Sequence, residues 1–535
     1  MNTVIKGNAN DVCISNGVKL YDTTLRDGAQ TEGISYSVTD KLRIAEKLDH
    51  IGIHYIEGGW PGSNPKEMAF FKAAGKLKLS NAEIVAFGST RKTNAKVSND
   101  ANVRALLESA APIVTVFGKS WDLHVKDVLR VSLDENLKMV SETVSYLMSK
   151  KKRVFYDAEH FFDGYKYNPD YALKTIFAAY ESGAECVILC DTNGGTITSE
   201  FIEIVKNTAA KITCPLGVHC HNDSDMAVAN SIAAVQAGCR QVQGTFNGYG
   251  ERCGNTDLVS VIGNLKLKLG IDCVSDSKLK ELTEVSRYIA EISNVKQREN
   301  QPFVGNTAFT HKAGVHINAI MKNPRTYEHI EPQTVGNKRR FLISELSGRT
   351  SIYLKAKALE LDLKKEAPKT KKILEMLQRL EHEGYHFEAA EGSFELLLKR
   401  AFKKFKRFFE LEGFKVVTEH RGNKLVSEAI IKVKVNNVEE HTAAEGDGPI
   451  NALDNALRKA LSEFYPALAE MHLSDFKVRV LDEKAGTAAK VRVLIQSQDA
   501  KDSWWTIGVS ENIIEASWNA LVDSVEYKLL KDSKL

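Results

Sequence analysis

At 535 residues, with 43% of them hydrophobic and 26% charged, the chain is too long for one ordinary core and too apolar for wholesale disorder; the length prior is about three domains. A net charge of +3 makes no electrostatic case for nucleic acid or an anionic membrane, so any anionic substrate has to be held by local charges. The start, MNTVIKGNANDVCISNG, has neither a basic stretch leading into an apolar one nor an Arg-rich amphipathic pattern, no apolar run is long enough to span a membrane, and the eight cysteines show no C-x-x-C spacing. The expectation is a cytoplasmic protein with reduced thiols, no metal finger and no disulfide framework.

In chain order, short apolar runs recur at Val18–Tyr21, His54–Ile56, Glu83–Phe87, Ile113–Val116, Arg153–Tyr156, Cys186–Leu189, Leu216–His219 and Gln241–Gly244. Between them, segments such as Lys41–Leu48, Pro65–Ala74, Asp134–Met148, Pro169–Ser182, Ser199–Lys211 and Ala227–Ala237 carry helical periodicity, several opening on a capping residue or proline and closing on glycine. Eight strands alternating with helices predict a (β/α)8 TIM barrel rather than an open doubly wound sheet. An open sheet would place a glycine-rich phosphate turn after its first strand, and here that turn is the charged DTTLRDG of Asp22–Gly28.

Active sites of this fold lie at the C-terminal ends of the strands. The conspicuous polar residues fall there: Arg26 and Asp27, Glu57, Glu159, Asp191 and Thr192, His219 and His221, Asn247 and Asn255. Each alone is an ordinary turn former or surface residue; together they predict a site. In VHCHND, strand alternation puts His219 and His221 on one face and Cys220 on the other, which is half of a divalent-metal site. Asp27 adds a carboxylate, and Asn255, in GYGERCGN, could add a neutral carbonyl oxygen; such a set leaves positions open for substrate oxygens. Arg26 is placed to stabilise charge on a carbonyl oxygen, Glu57 to orient Arg26 or simply pair with it, and Glu159 to do acid/base work.

DTTLRDG, the H-x-H and GER-x-GN together resemble the DRE-TIM metallolyases, which include the 2-isopropylmalate, homocitrate and citramalate synthases and 3-hydroxy-3-methylglutaryl-CoA lyase. The stretches Gly58–Glu67 (GGWPGSNPKE) and Phe117–Val125 (FGKSWDLHV) look most like the long bacterial (R)-citramalate synthases. The resemblance implies a divalent ion (Mg, Mn or Zn) on Asp27, His219, His221 and a nearer or farther Asn255, catalytic roles for Arg26 and Glu159, a substrate contact at Thr192, and acetyl-CoA as co-substrate. Ala29 departs from the glutamate many relatives carry, and Trp60 replaces a smaller loop.

After the barrel, AFTHKAGVHINAI, TYEHI and SGRTSI form a polar stretch that alone reads as a helical linker, with His311 an exposed residue of it. The resemblance implies that this segment reaches a partner's active site in a homodimer, with His316 and Tyr327 handling protons. The Lys-rich stretch near residue 365 and the cluster Lys399–Lys406 are interspersed with acids and read as solvated helix faces. The last third holds a weak repeat: Ala429–Val435 leads through HTAAEGDG to a helix at Pro449–Leu461, and Ala489–Gln496 through WTIGVSEN to one at Ile513–Tyr527, with Asn455-Ala456-Leu457 and Asn519-Ala520-Leu521 at matching points. Two β-β-α-like units predict a dimerisation or ligand-binding domain; by resemblance it is regulatory, with isoleucine as effector. The boundaries expected are 1–275 for the catalytic barrel, 276–410 for the linker and 411–535 for the C-terminal α+β domain.

Overall fold

The computed structural model describes residues 17–341, 367–387, 390–402, 405, 407–481, 489–499 and 502–533. SGRTSI, the first part of the charged segment that follows it, and Cys13 lie outside the described residues. The chain divides into two compact units, Met1–Phe309 with His329–Arg339, and Thr310–Glu328 with Arg340–Leu535. Among the described residues no helix is long and apolar enough to cross a membrane.

In the first unit β1 (Lys19–Asp22), β2 (Tyr55–Gly59), β3 (Glu83–Ser89), β4 (Ile113–Lys119), β5 (Arg153–Glu159), β6 (Cys186–Asp191), β7 (Leu216–Cys220) and β8 (Gln241–Gly244) form a closed parallel barrel. Closure comes from β1 pairing with β8 over the register Lys19↔Gln241 to Asp22↔Gly244. Alternation sorts the strand side chains. Leu20, Ile56, Ala86, Val114, Val116, Val154, Tyr156, Val187, Leu189, Val218, Cys220 and Val242 pack outward into one core with the helices. Tyr21, Val85, Ile113, Phe155, Cys186, Ile188 and Cys190 fill the barrel's interior. Cys220 is buried in the outer layer, on the opposite face from its flanking histidines.

Caps fix where several helices begin. Val38–Ile51, expected from Lys41, begins at a capping box in which the Ser37 side chain accepts from the Asp40 backbone and Asp40 accepts back, and ends at Gly52, whose φ of 103° is left-handed. Pro65–Ala74 starts on the Asn64 cap with proline in its first turn.

The second unit opens with Thr310–His311 pairing in parallel with Arg340–Phe341, around the helix Gly314–Lys322. Its C-terminal part is two antiparallel sheets, each of three strands backed by a helix: β9 (Glu410–Arg421), β10 (Lys424–Val435) and β11 (Val438–Gly446) before Pro449–Leu461, and β12 (His472–Val480), β13 (Val491–Gln498) and β14 (Ser503–Ser510) before Ile513–Asp532. HTAAEGDG and WTIGVSEN, expected as connections, are mostly strand. Their small residues let the helices sit close, with the Thr442 hydroxyl donating to the Ala456 carbonyl at 3.0 Å and that of Thr506 to the Ala520 carbonyl at 2.7 Å. Ala456-Leu457 and Ala520-Leu521, the matched points of the repeat, lie in one shared core.

Candidate metal and substrate site

Alternation carries the polar residues to the barrel's rim. On β5, Phe155 fills the floor and Asp157 and Glu159 follow it up the same inward face. On β7 that face holds His219, with His221 just past the strand's end, and on β8 it holds Gln241 and Gln243.

Asp27, His219 and His221 are buried and offer ligand atoms within 4.8 Å of one another. His219 Nε2 lies 3.3 Å from Asp27 Oδ2, and the two histidine rings are 5.2 Å apart at an angle of 51°. Asn255 joins them through an isolated bridge with His221, its amide N–H donating to the Tyr249 carbonyl at 3.2 Å. Asp27 Oδ2, His221 Nδ1 and Asn255 Oδ1 are each buried without a hydrogen-bond partner. Buried polar atoms are normally paired, so three acceptors left bare in one place fit a cation. Burial would raise Asp27, but Arg26 and then His219 override it and hold its carboxyl well below the usual range. Burial, with His219 beside it, pushes His221 down to about 3, leaving its imidazole neutral as a metal ligand must be.

Arg26 is fixed from three sides. Its Nε donates to Glu57 Oε1 at 2.5 Å, Nη1 lies 3.2 Å from Asp27, and the guanidinium sits 3.8 Å over the Phe87 ring. Burial works against its charge, yet Asp27 and Glu57 keep it fully cationic. Glu57 is wholly buried, and its other oxygen accepts from the Tyr21 hydroxyl at 2.6 Å, which also meets Thr115 at 2.8 Å. Phe87 stacks on Phe117, and the Trp60 ring stands edge-on to both while its Nε1 donates to Asn102 at 2.6 Å. The GGWP stretch thus supplies one panel of an aromatic wall beside Arg26.

Glu159 pairs with Lys119 at the neighbouring end of β4. The Thr192 hydroxyl accepts from the His160 backbone N–H at 2.9 Å, which leaves its own proton free to donate. Two rim residues turn inward to the scaffold: Asp191 accepts from Thr196, and Asn247, at a left-handed φ of 67°, ties to Ser286 and Gln301. His316 and Tyr327 lie in the second unit, with ring centroids 4.1 Å apart. His311 is not a free linker histidine: it pairs with the buried Glu328 at 3.1 Å, because the Thr310–His311 strand turns its ring toward that carboxylate.

Reading the sequence missed Tyr21, Lys119, Asp157 and Gln243. Lumen parity would have found Asp157, two residues before Glu159, and Gln243, two after Gln241. Burial raises Asp157 to about 7 despite His219. Nothing local marks Tyr21 as the second partner of Glu57, since the contact joins two strands.

Residues 17–289 match the HMGL-like family model, residues 303–384 the homocitrate synthase post-HMGL domain-like model, and residues 388–529 the LeuA allosteric (dimerisation) domain. The chain is 55% identical over 520 residues to an (R)-citramalate synthase of Geobacter sulfurreducens and to one of Aquifex aeolicus, each alignment covering 97% of this chain and 98% of the relative. A 2-isopropylmalate synthase of Methanocaldococcus jannaschii is 30% identical, covering 100% of this chain and 99% of the relative.

Proposed function

The chain belongs to the HMGL-like family, in the branch of the (R)-citramalate synthases, and from that premise we propose how its residues join acetyl-CoA to pyruvate to give (R)-citramalate and free CoA. The observation that carries the reading is the convergence of bare buried acceptors on Asp27, His221 and Asn255 beside His219. Asp27, His219, His221 and Asn255 would hold a divalent ion, which would supply Lewis acidity to a 2-oxo acid. Mg, Mn and Zn all accept such a mixture of carboxylate, imidazole and amide oxygen.

Arg26, clamped by Glu57, holds the keto oxygen as it becomes an alkoxide. Thr192 donates its hydroxyl proton to the substrate carboxylate. A base drawn from Glu159, His316 and Tyr327 removes a proton from the acetyl methyl group, the enolate carbon bonds to the keto carbon, and water cleaves the thioester to release the thiol. His316 and Tyr327 act from the partner's second unit in a homodimer, and their stacked rings support a joint role. The aromatic wall of Trp60, Phe87 and Phe117 beside Arg26 favours pyruvate, whose side chain is a methyl group, over branched 2-oxo acids. We assign residues 1–275 to catalysis, 276–410 to the linker and 411–535 to a regulatory domain with isoleucine as effector, in a cytoplasmic enzyme.

Thiol release from acetyl-CoA, measured against a panel of 2-oxo acids with and without chelator, tests this. Pyruvate should be preferred, chelator should stop the reaction and Asp27→Ala should abolish it. Preference for 2-oxoisovalerate would overturn the substrate, and an active Asp27→Ala would overturn the metal site.

A further inference from the structure

Below the rim, His219 is held by a hydrogen-bonded chain that the reaction scheme does not use. His219 Nδ1 lies 2.9 Å from Gln243 Oε1, and Gln243 Nε2 lies 3.2 Å from Asp157 Oδ1 and 3.4 Å from Gln241 Oε1. All four residues are buried.

A side-chain amide can be turned two ways, and its partners decide which. The NH2 end of Gln243 faces two oxygens. Asp157 carries no N–H, and its ionised carboxylate only accepts. The amide oxygen must therefore face His219. That oxygen only accepts, so Nδ1 must carry hydrogen, and in the neutral ring Nε2 is left as a lone pair. Nε2 is the nitrogen 3.3 Å from Asp27 Oδ2. Two acceptors at that separation need positive charge between them.

We propose that Gln243 is the positioning residue for the metal site: it fixes His219 in the Nδ1-protonated tautomer that turns Nε2 toward the ion, and Asp157 and Gln241 lock the orientation of the Gln243 amide. This rests on the reading of Asp27, His219 and His221 as metal ligands. Partners of ligating histidines are worth roughly ten- to a hundredfold in metal affinity.

The test is calorimetric titration of Mn2+ into the metal-stripped full chain and its variants. Gln243→Met, which keeps the shape and removes the acceptor, should bind about ten- to a hundredfold more weakly with unchanged far-UV circular dichroism. Gln243→Glu keeps the acceptor, and its protonated carboxyl can donate to Asp157 as the amide does; it should bind within about threefold of the parent. A folded Gln243→Met that binds within about twofold of the parent overturns the inference, and so does a Gln243→Glu as weak as Gln243→Met. Should Gln243→Met not fold, Gln243→Ala is read in the same way. On the parent itself, histidine-selective 15N spectra of the Zn2+-loaded chain should show His219 protonated at Nδ1, and a proton at Nε2 overturns the inference without any variant. A parent that binds no Mn2+, or an Asp27→Ala that binds it as the parent does, instead overturns the reading of the site.

Discussion

Replacing Glu57 by glutamine separates the positioning of Arg26 from the holding of the metal. Glu57 accepts two hydrogen bonds in a wholly buried position, from Arg26 Nε at 2.5 Å and from the Tyr21 hydroxyl at 2.6 Å. Glutamine can keep its oxygen on Arg26 and donate from its NH2 to the Tyr21 oxygen while that hydroxyl donates to Thr115, so the hydrogen bonds survive and the negative charge facing Arg26 is lost. Breaking a buried ion pair from one side costs about 3–5 kcal/mol. Arg26 keeps Asp27 at 3.2 Å and the Phe87 face at 3.8 Å, which argues for the lower end, about 3 kcal/mol. If Arg26 stabilises the alkoxide, its displacement should lower kcat by about a hundredfold, the scale for losing one donor to a developing oxyanion. Metal affinity should be unchanged, because Glu57 hydrogen-bonds to none of Asp27, His219, His221 or Asn255. The assays are thiol release at saturating pyruvate and acetyl-CoA, Mn2+ titration, and urea denaturation. A variant that loses stability but keeps kcat within about twofold would refute the positioning of Arg26 by Glu57 and leave a structural ion pair.

Other substitutions probe the rest of the molecule. Trp60→Leu removes a panel of the aromatic wall, and the rate with 2-oxobutanoate relative to pyruvate should rise about tenfold, the scale of one methylene in an apolar pocket; an unchanged ratio in the thiol assay removes Trp60 from specificity. Burial raises the buried Asp22 carboxyl to about 7 although Thr24 donates to it twice. The folded state then binds this proton more tightly than the unfolded one, so stability is fully present below the ordinary carboxylate range and declines as pH rises toward 7. Thermal midpoints in chelator from pH 4 to 8 should fall less for Asp22→Asn than for the parent, and parallel curves count against a buried protonated Asp22. Gly508→Ala would put a Cβ 1.9 Å from the Ala516 carbonyl oxygen, a backbone atom with little room to move. It should destabilise the second unit by about 1–3 kcal/mol in urea denaturation, and an unchanged transition would mean that β14 and its helix separate easily.

The sequence by itself determined what periodicity and spacing determine. Strand alternation put His219 and His221 on one face with Cys220 behind them, and the recurrence of strand and helix required eight parallel strands to bury both faces. The polar residues at the strand ends followed, because a barrel has one reactive rim. Only tertiary structure decided how they are held. The pairing of Tyr21 with Glu57, of Lys119 with Glu159 and of Asp157 with Gln243 joins residues on different strands, and no local pattern records which side chains meet across a lumen. Asp191 and Asn247 look like site residues in the sequence, but their hydrogen bonds run to Thr196, Ser286 and Gln301. In each C-terminal sheet the sequence names only the middle strand: β11 and β14 read as connections, and β9 and β12 are largely exposed, so burial leaves a weak imprint on their sequence and their place is fixed by backbone ladders to β10 and β13.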